Sequence, residues 1–224
     1  MDFYTPITKK ESAFGIAYIF FHTLILPFLI GLAAMYAGFD LSDARFDLVY
    51  YIISAALTVI FMRSFIRENY AALVEDPLNA LGVTLRAFAF YYLSVIVLSL
   101  LLGGLVEDAG PNQEALEAIY AIDPVGSIIT GVLLAPVAEE LMFRGALFGT
   151  LRRRSRLAAY AVTVFLFAFY HLWDSFLFDF SPELFVHLVF YMAPGAALCY
   201  AYESSGTIYA PLILHMVINL LSSL

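Results

Sequence analysis

Charge is what this sequence has least of. Asp, Glu, Lys and Arg make up 13% of its 224 residues, against about 25% in a soluble domain. Basic charge is scarcer still: 11 Lys and Arg stand against 19 Asp and Glu, for a formal net charge of −8 and a pI of about 4.8. That balance excludes a nucleic-acid binder, which needs a basic face. Cysteine is nearly absent. Cys199 alone can form neither an internal disulfide nor a cysteine-based zinc site. Internal repeats, low-complexity tracts and a recognisable soluble domain are also missing. What fills the chain instead is apolar: 62% hydrophobic, 17% aromatic, mean hydropathy +0.87. A soluble fold of this size could not hide so much apolar side chain. Composition thus excludes an ordinary cytosolic enzyme and a disordered chain. It leaves an all-α, polytopic bundle of transmembrane helices.

A membrane-spanning helix needs roughly 20 mostly apolar residues. Segments 13–37, 48–66, 81–105, 124–150, 157–173, 184–203 and 207–224 qualify, giving about seven helices. A re-entrant segment near the C-terminus would make an eighth. The first segment is too long for a signal-peptide core and reads as a retained helix. The polar stretch Glu107 to Asp123 has room for one short surface helix. We divide the chain into N-terminal helices and loop, 1–123, and a core, 124–224, within one membrane domain.

Basic residues orient such a bundle. Lys9, Lys10, Arg63, Arg67, Arg152, Arg153, Arg154 and Arg156 all fall on one side of a seven-helix arrangement. The opposite loops hold Asp40, Asp43, Asp47, Glu107, Asp108, Glu114, Glu117, Asp123, Asp174, Asp179 and Glu183, with Arg45 as their one base. This predicts a multi-pass protein of the cell membrane with a cytoplasmic N-terminus. The Arg152–Arg156 run then serves as a topology signal in contact with anionic lipid.

Ionisable residues inside the apolar segments are expensive, about 2.5–3.5 kcal/mol each at a helix centre, and so mark candidate sites. The fourth segment carries Glu139, Glu140 and Arg144. Glu140 and Arg144 stand at i,i+4 with the acid first, the favourable order for an ion pair. Glu139 is turned by about 100° and lacks that partner. Pro136, just before the acids, withholds a backbone N–H and predicts a kink. The fifth segment carries Phe167 and His171, and the seventh His215 and Asn219, again at i,i+4. At 1.5 Å per residue, Glu139, His171, His215 and Asn219 lie about 14–22 Å from the cytoplasmic ends of their helices. Taken singly, a His or Asn is often interhelical glue, and Glu140–Arg144 alone is a structural pair. As one layer from three helices, they are a convergent site. His22 and His187, without an acid or amide partner at helical spacing, read as packing or interfacial residues.

Glu139-Glu140-x-x-x-Arg144, Phe167-x-x-x-His171 and His215-x-x-x-Asn219 resemble, in order, the three signature motifs of the CPBP family. These are the CAAX-protease and bacteriocin-processing (Abi) intramembrane endopeptidases, related to the type II CAAX prenyl endopeptidases. Met142-Phe143-Arg144-Gly145 resembles the bacterial branch. The resemblance covers about residues 124–224 and implies hydrolysis of a peptide bond within the membrane. The substrate would be a membrane-associated, lipidated or leader peptide. Carried over by motif position, Glu139 would be the catalytic glutamate and His171 would help it activate water. His215 and Asn219 would stabilise the oxyanion. Glu140, Arg144 and Phe167 would support the site.

That chemistry is sound on its own terms, since amide hydrolysis needs a base on water and donors at the oxyanion. Serine and cysteine are absent from the layer, so no protein nucleophile is required. We favour a cofactor-free glutamate mechanism. The rival is Zn²⁺ held by Glu139, His171 and His215. Two non-enzymatic readings stay open. One is a membrane scaffold giving bacteriocin immunity or modulating a sensor kinase. The other is a proton-coupled transporter. No nucleic-acid partner is expected; membrane lipid and a peptide or protein substrate are.

Overall fold

The computed structural model describes residues 3–39, 42–106 and 110–223, with backbone alone at Asp43 and Ala44. Asp40, Glu107 and Asp108, used above to orient the chain, lie outside the described residues. The described chain is helical, with no strand. The helices are α1 (Lys9–Ala37), α2 (Asp43–Phe61), α3 (Arg63–Glu75), α4 (Pro77–Leu102) and α5 (Pro111–Ile122). They continue as α6 (Pro124–Arg152), α7 (Arg156–Tyr170), α8 (Trp173–Phe178), α9 (Leu184–Ser205) and α10 (Tyr209–Ser222).

Each of the seven apolar segments lies on helix, but not every one is a straight span. By length and composition, α1, α6, α9 and the stretch Pro77–Leu105 that contains α4 can cross a membrane. The expected helix 48–66 is broken at Met62, where α2 and α3 meet at 78°. The cause lies in another helix. Glu11 of α1 is buried, and its carboxylate accepts from the Phe65 N–H at 2.8 Å, one of the first free donors of α3. A carboxylate is favourable at a helix N-terminus. Asn69, on the same face of α3, donates to the Phe65 carbonyl and accepts from the Ile208 N–H, both at 2.8 Å. So α3 starts α10 as well as ending α2. The expected helix 157–173 stops at Tyr170, and α7 and α10 are shorter apolar helices of 15 and 14 residues. The surface helix expected within 107–123 is α5.

At the centre of the bundle is α6. Its residues 140–148 are buried on every side, the signature of a helix surrounded by others. Small residues let its neighbours approach: a Cβ on Gly15 of α1 would collide with the Cβ of Ala146. Tyr18, Val83, Ala138, Met142, Phe143, Phe167, Leu198 and Leu214 form the main core, drawn from six helices. Large apolar side chains such as Phe28, Leu85, Leu93, Leu100 and Phe165 face outward, where lipid would meet them.

The arginine run does more than mark a side of the membrane. Arg152 and Arg156 both bind the Glu203 carboxylate of α9, and Arg153 donates to the carbonyls of Thr5 and Ile7. These arginines lock the α6–α7 turn to α9 and to the segment before α1.

Candidate active site

Pro136 leaves α6 continuous. Instead of a kink, the helix widens into π-helical turns over Ile129–Leu134 and Glu140–Phe148, on either side of an α-helical stretch. Such turns are how a helix absorbs a disturbed hydrogen-bond ladder, and they recur at functional sites. The first one has a consequence at the backbone. The Ala135 N–H bonds to the Thr130 carbonyl. The next donor along, at position 136, does not exist, because proline has none. The Gly131 carbonyl thus loses its helical partner, and the Asn219 side-chain amide donates to it at 2.8 Å. One of the two Asn219 amide hydrogens is therefore committed to the backbone of α6.

Glu140 and Arg144 form the expected pair, 2.8 Å apart, with side chains 1% and 0% exposed. The same Glu140 oxygen accepts from His215 Nδ1, also at 2.8 Å. Arg144 donates further to the Gly195 carbonyl at 3.2 Å. Its guanidinium lies 4.1 Å above the Phe167 ring, a favourable cation–π contact. Phe167 is thus a floor under the cation, and its carbonyl holds His171 Nδ1 at 2.8 Å.

Glu139 points away from this pair. Its Oε2 stands 3.8 Å from His171 Nε2 and 3.9 Å from His215 Nε2. Tautomers follow from the partners. A carboxylate or a carbonyl only accepts, so His215 Nδ1 and His171 Nδ1 both carry hydrogen. Both Nε2 atoms of the neutral rings then turn lone pairs toward Glu139. Four of the sequence-predicted residues, Glu139, Glu140, His171 and His215, are joined in one cluster with Arg144 and Phe167 around them. The hydrogen bond of Asn219 leads instead to Gly131. His171 sits at the C-terminal cap of α7 rather than inside a helix. Its ring stacks on Tyr191, 4.9 Å between centroids, and the Tyr191 hydroxyl accepts from Asn112.

Two imidazole lone pairs and a carboxylate are donors that suit zinc, with Glu140 and the Phe167 carbonyl as the supports such ligands use. Among the described residues, no three His, Cys, Asp or Glu side chains stand as a set that could hold a metal ion.

A second polar cluster was missed by the sequence reading. His22, fully buried, contacts Ser54 at 2.6 Å and the hydroxyls of Tyr50 and Tyr170 at 2.9 Å each. The spacing signal was there: Tyr50 and Ser54 are i,i+4 on one apolar helix.

Fold and site together define a multi-pass membrane protein with a buried carboxylate–imidazole centre. Residues 121–221 match the family described as "Type II CAAX prenyl endopeptidase Rce1-like", a stretch that includes all seven motif residues. The chain is also similar to "Putative membrane peptidase YdiL" of Bacillus subtilis (strain 168), 28% identical over 116 residues. That match spans 52% of this chain and 43% of the relative. No solved structure matches the chain. Both comparisons are with membrane proteases at the level of the family.

Proposed function

We propose that this protein is an intramembrane endopeptidase that hydrolyses a peptide bond of a membrane-associated, lipidated or leader peptide, with its N-terminus in the cytoplasm. The observation that carries the reading is the position of Glu139. It is an unpaired carboxylate, its side chain 5% exposed, faced by two imidazole Nε2 atoms at 3.8 and 3.9 Å. Those separations are too long for a direct hydrogen bond and suit a shared water.

In this mechanism a water donates one hydrogen to Glu139 Oε2 and the other to His171 Nε2. Its oxygen lone pair is left to attack the scissile carbonyl. Glu139 takes the proton as the C–O bond forms. It returns the proton to the nitrogen as the C–N bond breaks, the usual double duty of a carboxylate base and acid. His215 is the proposed oxyanion donor: in its imidazolium form Nδ1 is held by Glu140 as counter-ion and Nε2 is a donor for the oxyanion. The second Asn219 amide hydrogen is the other donor. No step requires a metal.

The test is comparative peptidomics of membranes and medium from cells carrying the wild type or Glu139→Gln. Fragments made by the wild type and absent from the variant are expected. Identical peptide sets, with the variant still rescuing a deletion phenotype, would establish a scaffold instead.

A further inference from the structure

Several of the hydrogen-bond donors around Glu139 are already engaged: His171 Nδ1 with Phe167, His215 Nδ1 with Glu140, and one hydrogen of each terminal Arg144 nitrogen with Glu140 and Gly195. A peptide lying beside Glu139 brings carbonyls that need donors. A cavity of about 170 Å³ opens against His171 and is lined also by Tyr50, Tyr51, Tyr170, Asn112 and Trp173. Which of these hydroxyls still has a hydrogen to give can be worked out from the His22 cluster.

Within α1, the chain makes a π-helical turn at Phe21–Ile25, and the Leu26 N–H bonds to the Phe21 carbonyl. The donor that would serve the His22 carbonyl next is that of position 27, where proline has none. The Tyr50 hydroxyl donates to that carbonyl instead, at 3.0 Å. A hydroxyl has one hydrogen. The Tyr50 oxygen, 2.9 Å from His22 Nε2, must therefore accept there, and Nε2 carries hydrogen. The Tyr170 oxygen, also 2.9 Å from Nε2, must accept as well. Ser54 then donates to Nδ1. This assignment holds for the neutral ring, and a protonated ring has the same Nε2–H.

The hydrogens of Tyr170 and Tyr51 remain. Their oxygens are 3.4 Å apart, so at most one hydrogen closes that gap. Tyr50 is the other acceptor within reach of Tyr170, so these hydroxyl hydrogens have only other tyrosines to serve and can be turned into the cavity, next to His171, when an acceptor enters it. The donors are aimed by Tyr50, Ser54 and His22, all outside the stretch that matches the family model.

We infer that Tyr51 and Tyr170 are the hydrogen-bond donors of a subsite that holds a backbone carbonyl of the peptide substrate beside His171. The substrate class rests on the proposed peptidase reading; the donor count does not. Trp173 is the one tryptophan of the chain and lines the same cavity, so its fluorescence reports occupancy directly. The full chain, carrying Glu139→Gln and embedded in lipid nanodiscs, is titrated with acetyl-dileucine amide. A saturable change in Trp173 emission is expected. Tyr51→Phe and Tyr170→Phe, each of which removes one oxygen and keeps the ring, should weaken the dissociation constant about three- to tenfold. Tyr36→Phe, at an exposed position far along α1, should change nothing. No saturable response, or equal affinity in both cavity variants, overturns the assignment. A peptidase test that fails while Trp173 still responds would sink the proposed reaction and leave the subsite standing.

Discussion

The Asn219 amide donates to the Gly131 carbonyl at 2.8 Å because Pro136 cannot. This gives Asn219 a structural duty distinct from any part in hydrolysis. Asn219→Ala leaves a half-buried carbonyl unpaired and should cost about 1 kcal/mol of stability. Adding Pro136→Ala restores the missing N–H. The double variant should recover much of that stability in thermal unfolding while peptide hydrolysis stays impaired. Recovery of both together would assign Asn219 to structure alone.

Glu140 serves two partners, Arg144 and His215. Glu140→Leu leaves a buried guanidinium unpaired, at a cost of about 3–5 kcal/mol. Glu140→Leu with Arg144→Met removes both charges and should be clearly more stable than the single variant. Neither should cleave peptide, because His215 loses the carboxylate that orients it. Unfolding midpoints and hydrolysis rates, measured on the same preparations, separate the two effects.

How far the site could be read from sequence depends on the kind of pattern. Glu140–Arg144 was visible because i,i+4 spacing is local. The convergence of Glu139, His171 and His215 was inferable from depth along three helices. The Met62 bend was not, since its cause is Glu11, whose carboxylate reaches the Phe65 N–H from 54 positions away. Pro136 predicts a kink because a missing N–H usually breaks a helix. Here the wide turns and Asn219 absorb the loss. In the His22 cluster the i,i+4 spacing of Tyr50 and Ser54 is legible, but not that Tyr50 answers a carbonyl that Pro27 leaves open. The arginine run reads as a topology signal, and its ties to Glu203, Thr5 and Ile7 come only with the fold.

Close approach of α1 and α6 is a condition for the core. A Cβ on Gly15 would collide with Ala146, so Gly15→Leu should destabilise by about 1–3 kcal/mol through overpacking. Thermal unfolding in nanodiscs checks it. Gly31, whose added Cβ meets nothing within 4 Å, is the control and should tolerate leucine.

Orientation is open to chemical labelling. Cys199 is buried, so the native chain should be silent to a membrane-impermeant maleimide. Lys10→Cys should react only when the cytoplasmic face is exposed, in inverted vesicles. Asp179→Cys should react only from outside, in intact cells. The reverse pattern would invert the proposed topology.

A cofactor-free mechanism should tolerate chelation. Hydrolysis by nanodisc-embedded protein is expected to persist in 1,10-phenanthroline. Loss of activity, restored by added Zn²⁺, would favour a metal held by Glu139, His171 and His215.

In the proposed reaction Glu139 moves the proton. The most direct measurement is the hydrolysis rate of one identified peptide by wild type and Glu139→Gln, with both shown to share an unfolding midpoint. Glutamine keeps the shape and removes the base, so the rate should fall by about 10²–10⁴-fold. A folded Glu139→Gln protein that cleaves at the wild-type rate would rule out Glu139 as the base.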